Sequence, residues 1–338
     1  MSLGFGLLSA QLRPGETSWE RAYRDTVEIA EAAERFGYAS IWTSEHHFVD
    51  DGYMPSLMVV GAALTQATET ISLGTGVLLA PLHDPIRLAE DAATVQLLSG
   101  NRLLLGLGLG WADYEFDAFG VDITKRGRIM DEILEFLPKA WSGEVFDHDG
   151  AFYQFPKLAV RPVPDNKIPV VIGGTAEPAI RSAARLADGI ISNASVDGFL
   201  RQVEWAKEEL EARDRSIQDF RWIHYSVLHP SDAADGGWDE MRPHAWHMAW
   251  KYGDMRRSST RPGPPPVAPE FGTDREEAIR TSEVIMGPSV SIVEQLQALK
   301  AAWGVPVEFV ARSCYVTMGR SQQLEIMQRL AEEVLPHV

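Results

Sequence analysis

The chain has 338 residues, of which 45% are hydrophobic and 23% charged, a balance that buries a large core and excludes an intrinsically disordered protein. Its 48 acidic against 31 basic residues give a formal charge of −17, which excludes a surface built to neutralise nucleic-acid phosphates or an anionic membrane. A single cysteine, Cys314, leaves no internal disulfide and no cysteine-based zinc site.

Along the chain, short apolar runs alternate with segments of helical period. The first run, 3–9 ("LGFGLLS"), reads as a buried strand and is followed by an amphipathic helix over 19–36. A strand at 39–44 leads to a helix at 55–67, one at 72–80 to a helix at 85–98, and one at 103–110 to a helix at 126–141. The second half repeats the pattern: strand 169–174 with helix 176–187, strand 189–193 with helix 198–212, strand 221–229, then helix 292–303, strand 307–316 and helix 321–335. Eight strands, each followed by a helix, predict an α/β protein closed as a (β/α)8 TIM barrel, one domain over 1–338. No apolar run nears the roughly 18 residues of a membrane span, and no basic-then-apolar leader opens the chain, so a cytoplasmic location is expected.

The spacing breaks after the seventh strand, where an insertion runs over about 230–288. Long insertions in compact domains tend to be functional, and this one reads as a lid. Within it, Met241, His244, Met248, Tyr252 and Met255 share one helical stripe, while Trp246 and Trp250 lie well round the helix. A helix apolar on two sides needs two partners; His244, Trp246, Met248 and Trp250 are the residues offered for substrate and lid contacts, ordinary packing being the alternative. A Pro-rich stretch, "RSSTRPGPPPVAPEFG", comes next and reads as a mobile loop.

Catalytic groups of such barrels stand at the C-terminal ends of the strands, and Glu45, His46 and His47 come directly after the second strand there. Gly106, Gly108 and Gly110 alternate along the fourth strand; their face either leaves room for a flat ligand or packs a tight barrel interior. "GLGLGW" does not fit the dinucleotide fingerprint G-x-G-x-x-G. The turn Gly173, Gly174, Thr175 enters a helix, where backbone amides and a hydroxyl suit a phosphate. His83 and Asp84 lack a metal-ligand spacing with His46 and His47, so no metal site is assigned.

These residues carry a resemblance. "SEHHF" after the second strand, "LGTGVLLAPLHDPIRLAEDAATVQLLSGNRLLLGLGLGW", "EFDAFGVDITKRGRIMDEILEFLPKAW" and "IPVVIGGTAEPAIRSAARLADGI" resemble the bacterial luciferase-like monooxygenase family over nearly the whole chain. The resemblance implies a barrel that takes reduced FMN from a separate flavin reductase and, through a C4a-peroxyflavin and O2, oxidises a small organic substrate; the Met- and Trp-rich insertion points to a hydrophobic or aromatic one, unless those residues face a dimer partner. It places Glu45, Thr75, Gly76, Val77 and Gly108 at the flavin ring and Gly173, Gly174, Thr175, Ser192 and Asn193 at the phosphate end. It implies His46 as the catalytic acid/base or peroxide-stabilising residue, with Glu45 orienting it or touching the flavin, His47 as structural, a cis peptide at Gly76–Val77 and a homodimer. Gly108 stands where the luciferases carry a reactive cysteine and Leu109 where they carry a phosphate-binding arginine, which removes light emission from the expectation. The related barrels that use a deazaflavin coenzyme for hydride transfer share the glycine patterns of the fourth and fifth strands and are the rival reading. A non-catalytic flavin-binding barrel is the third, and the retained Glu45 and His46 argue against it.

Overall fold

The computed structural model describes residues 1–270, 276, 278–280 and 284–338. Its strands are β1 (Ser2–Leu8), β2 (Ser40–Thr43), β3 (Ser72–Thr75), β4 (Leu103–Gly108), β5 (Phe146–Asp149), β6 (Gln154–Leu158), β7 (Val170–Gly173), β8 (Gly189–Ser192), β9 (Arg221–Pro230), β10 (Val284–Gly287) and β11 (Val307–Arg312). All but β5, β6 and β10 pair in parallel round a closed ring: β1 to β2, β3, β4, β7, β8, β9, β11 and back to β1. This is the (β/α)8 barrel, and its eight strands are the eight apolar runs of the sequence. Between them lie α1 (Trp19–Arg35), α2 (Leu57–Ala67), α3 (Pro85–Leu98), α4 (Asp113–Phe119), α5 (Arg126–Ala140), α6 (Glu177–Leu186), α7 (Val196–Glu211), α8 (Trp238–Ser258), α9 (Ser289–Trp303) and α10 (Arg320–Glu333).

Local chemistry sets the boundaries. Asp84 caps α3 by accepting from the Ile86 and Arg87 amides, with Pro85 at the first helical position, where a missing N–H costs nothing. Gly120 and Gly304 close α4 and α9 in the left-handed conformation at φ 70° and 65°. Alternate side chains divide the core in two. Leu7, Trp42, Leu104, Val171, Ile191, Ile223 and Val310 fill the barrel, while Phe5, Ile41, Leu105, Ile172, Ile190 and Phe309 point outward to the helices. Trp42 is fully buried in the interior and fits because β3 carries Gly74 beside it: a Cβ there would lie 2.3 Å from the indole. The central tryptophan of "SIWTS" is therefore barrel filling, and the residues that reach the barrel mouth begin at Ser44.

Several features differ from the sequence reading. The third strand ends at Thr75 rather than 80, and the next peptide, Gly76–Val77, is cis, as is Gly6–Leu7. The last barrel strand ends at Arg312 rather than 316. The hairpin β5–β6, the seven-residue α4 and the short β10, which extends the sheet beside β9, carry too little apolar periodicity to be read. The insertion at 230–288 contains the end of β9, α8, the Pro-rich stretch and β10; its residues 271–275, 277 and 281–283 lie outside the described residues. The Pro-rich stretch is tied down twice, by the Gly15 amide donating to the Pro265 carbonyl at 3.1 Å and by the Trp246 indole donating to the Pro269 carbonyl at 2.7 Å.

Candidate active site

The C-terminal strand ends enclose a cavity of about 630 Å³. It takes Glu45 and His46 from the β2 loop, Gly76 and Val77 from the β3 end, and Gly108 from β4. Gly173, Gly174 and Thr175 come from the β7 end, and Ser192 and Asn193 from the β8 end. Of the residues expected at the flavin, Thr75 alone is absent from the lining. Its hydroxyl donates to the Gly106 carbonyl at 2.7 Å and accepts from the Gly106 amide at 2.8 Å, so it clamps β3 to β4.

The strand-four glycines divide between the two roles left open by the sequence. A Cβ on Gly106 would lie 1.9 Å from the Thr75 carbonyl oxygen, so this glycine permits two backbones to approach and is barrel packing. Gly108 and Gly173 both make room for Val77, whose methyl carbons would stand 2.2 and 2.6 Å from their added Cβ atoms. Val77 thus forms a ledge between two strands that present only backbone to the cavity. At the far end, α6 begins after Ala176 with no side-chain cap, so the positive end of a ten-residue helix opens beside Gly174 and Thr175.

His46 and Glu45 belong to separate networks. The His46 Nδ1 lies 3.1 Å from the Glu115 Oε1, and the same oxygen accepts from the His47 amide at 2.7 Å. Glu115 is fully buried on α4, and its Oε2 has no hydrogen-bond partner among the described residues. The His46 ring meets Tyr53 edge-on at 4.7 Å, with Trp111 at 5.7 Å and Tyr252 at 5.9 Å. Glu45 bonds instead to the His47 Nε2 at 2.7 Å, the His83 Nε2 at 3.0 Å and the Leu79 amide at 3.2 Å. Burial alone would raise its carboxyl, but the hydrogen bonds and positive charge of His47 and His83 outweigh this and hold it below the ordinary carboxylate range. The group that orients His46 is therefore Glu115, not Glu45, and His47 serves Glu45.

Helix α8 covers one side of the cavity with Met248, Ala249 and Tyr252. Of the four α8 residues offered by the sequence, Met248 alone lines it. The His244 Nδ1 is 2.7 Å from the Thr317 hydroxyl, Trp246 is turned to Pro269, and Trp250 packs against His247 with a 5.5 Å ring separation. The helix is rotated by a buried polar stripe that the apolar pattern did not weigh: Lys251 pairs with Asp50 and Asp51, all three at most 3% exposed in their side chains. Beside Tyr252 the lining adds Tyr225 and Arg312, residues that no sequence signal marked.

The family model of the luciferase-like monooxygenases matches residues 3–305. The chain belongs to this family. Among its curated relatives, the oxygenase component of the flavin-dependent trigonelline monooxygenase of Acinetobacter baylyi is 33% identical over 147 residues, covering 43% of this chain and 41% of the relative. The F420-dependent glucose-6-phosphate dehydrogenase of Amycolatopsis mediterranei is 27% identical over 206 residues, covering 58% of this chain and 62% of the relative. The chain thus spans less than two thirds of the length of either curated relative. The monooxygenase RslO1 from Streptomyces bottropensis shares the fold over 100% of this chain and 99% of its own, with a TM-score of 0.83 at 20% identity. No helix among the described residues is long and apolar enough to cross a membrane.

Proposed function

We propose that the protein is the oxygenase of a two-component flavin monooxygenase, taking reduced FMN from a separate reductase and using O2 to oxidise a small organic substrate. One observation carries this reading: a single cavity joins His46 to the glycine turn at the start of α6, with the Val77 ledge between them. The residues fit FMN. Its ring has a backbone-and-valine wall at Gly76, Val77, Gly108 and Gly173, and its phosphate has Gly174, Thr175, Ser192, Asn193 and the open N-terminus of α6. When bound, reduced FMN supplies the electrons that activate O2.

The chain's own residues orient and protect. Glu115 at the His46 Nδ1 fixes the ring and leaves Nε2 to give or take a proton at the substrate. Met248, Ala249 and Tyr252 shield the cavity from water on one side, which is the role proposed for the 230–288 insertion. A homodimer and a separate reductase rest on the family resemblance, the reductase also on a relative that is one component of a pair.

A hydride-transfer enzyme using a deazaflavin coenzyme is the second reading, favoured by Leu109 at the position of the luciferases' phosphate arginine and by the F420-dependent relative. Turnover under 18O2 with reduced FMN separates the two. A monooxygenase places one labelled oxygen in its product, whereas product formed without label, with the deazaflavin coenzyme as electron carrier, establishes hydride transfer. Thr175→Val should weaken FMN about ten- to a hundred-fold, the worth of a hydrogen bond to a charged group, and leave riboflavin nearly unchanged.

A further inference from the structure

Arg312 is the last residue of β11 and lines the cavity on the wall opposite β4. It also lines a second cavity of about 370 Å³ between β9, β10 and α9, so it stands where the two spaces meet. Its guanidinium is partly buried, yet among the described residues no carboxylate lies within ion-pair distance of it. Three other enclosed cations are well matched: Lys251 by Asp50 and Asp51, Arg261 by Asp50 and Asp254, and Arg102 by five backbone and hydroxyl oxygens. A guanidinium inside a cavity that no described carboxylate faces is a feature to explain.

Its surroundings are aromatic hydroxyls. Nη2 donates to the Tyr252 hydroxyl at 3.0 Å, and the guanidinium carbon lies 5.6 Å from the Tyr252 ring centroid and 5.9 Å from that of Tyr225. Among the described residues such contacts hold the guanidinium in place but do not neutralise its charge, and one of its five N–H donors is spent on Tyr252. Tyr252 also reaches the catalytic end, its ring centroid 5.9 Å from that of His46. Tyr252 therefore neighbours both the cation and the proton-transfer group.

We propose that Arg312 is the specificity-determining residue of this site and that the substrate is an aromatic carboxylic acid, its carboxylate paired with the guanidinium and its ring laid against Tyr252 and Trp111, which leaves the Val77 ledge to the flavin. A planar guanidinium binds a carboxylate through two parallel hydrogen bonds, which fixes the ring's direction and presents the carbon remote from the carboxylate to His46. This rests on the monooxygenase reading for the chemistry and replaces a purely hydrophobic substrate with an acidic one.

The test uses benzoate and its neutral isostere benzamide as probes, with binding to the whole protein measured by calorimetry. The parent should bind benzoate at least ten-fold more tightly than benzamide, Arg312→Gln should erase the preference, and Arg312→Lys should keep part of it. FMN and riboflavin titrations of the same variants check folding and the coenzyme end, and their ratio should not change. Equal binding of the two probes by the parent, or a preference that survives Arg312→Gln, overturns the proposal. So does a loss of FMN but not riboflavin in Arg312→Gln, which would make Arg312 a partner of the coenzyme phosphate. Benzoate selectivity in a protein that binds no FMN would instead refute the monooxygenase reading and leave the anion corner standing.

Discussion

His46 depends on a carboxylate 69 residues away in sequence, and that dependence can be measured. His46→Ala should bind reduced FMN as the parent does while coupled substrate oxidation falls about a hundred- to ten-thousand-fold, the contribution of a positioned acid/base. Glu115→Gln keeps the shape of the side chain and weakens its hold on Nδ1, so a smaller loss is expected. Combined with His46→Ala, it should add almost nothing, because it acts through the imidazole. Additive losses measured as oxidised product per flavin consumed would detach Glu115 from His46. The sequence made His46 legible, since a histidine pair after a barrel strand sits at the catalytic edge. It could not show that Glu45 serves His47 and His83, because adjacency in a loop says nothing about side-chain direction. Arg312 was hidden for a related reason: one arginine at the end of a strand becomes informative only when its surroundings, aromatic and without a carboxylate among the described residues, can be seen.

Among the elements, the eight barrel strands were legible because parallel strands are buried on both faces and read as continuous apolar runs. Helix α8 was legible as a helix but not in its rotation. Lys251, 2% exposed, reads as a surface residue until Asp50 and Asp51 are found against it. Lys251→Met would leave Asp50 to Arg261 alone and Asp51 with no cation among the described residues, and should cost about 3–5 kcal/mol in urea unfolding. Arg256→Met, which breaks the exposed pair with Asp113, should cost no more than about 1 kcal/mol. Equal effects would mean that α8 is held by its apolar contacts.

A second element-level device is Glu34, near the end of α1, which accepts from the amides of Glu69, Thr70 and Ile71 and from the Thr70 hydroxyl at the entry to β3. Partial burial opposes its charge, but these donors outweigh it and bring the carboxyl down to about 2. A depressed carboxyl contributes stability above its unfolded pKa of about 4.3 and loses it as pH falls through the folded value. Glu34→Gln should therefore lower the melting temperature at pH 7 and make little difference near pH 2. A gap that persists unchanged to pH 2 would remove the carboxylate from the clamp.

Across the whole molecule, the barrel sets a wall of glycines and Val77, the one proposed for the coenzyme, against an aromatic wall of Trp111, Tyr225 and Tyr252, with His46 in the loop after β2 and Arg312 at the end of β11. Glycine spacing made the first wall legible; of the second, Tyr225 and Tyr252 come from β9 and the insertion and carry no motif, while Trp111 ends "GLGLGW" but had no role assigned to it there. The central claim is that this cavity takes reduced FMN, and anaerobic titration of the purified protein with reduced FMN and, separately, with the reduced deazaflavin coenzyme tests it most directly. Saturable binding of reduced FMN at one site per chain, with weak or no binding of the deazaflavin, is the expected result. Saturable binding of the deazaflavin coenzyme by a protein that ignores reduced FMN would contradict it.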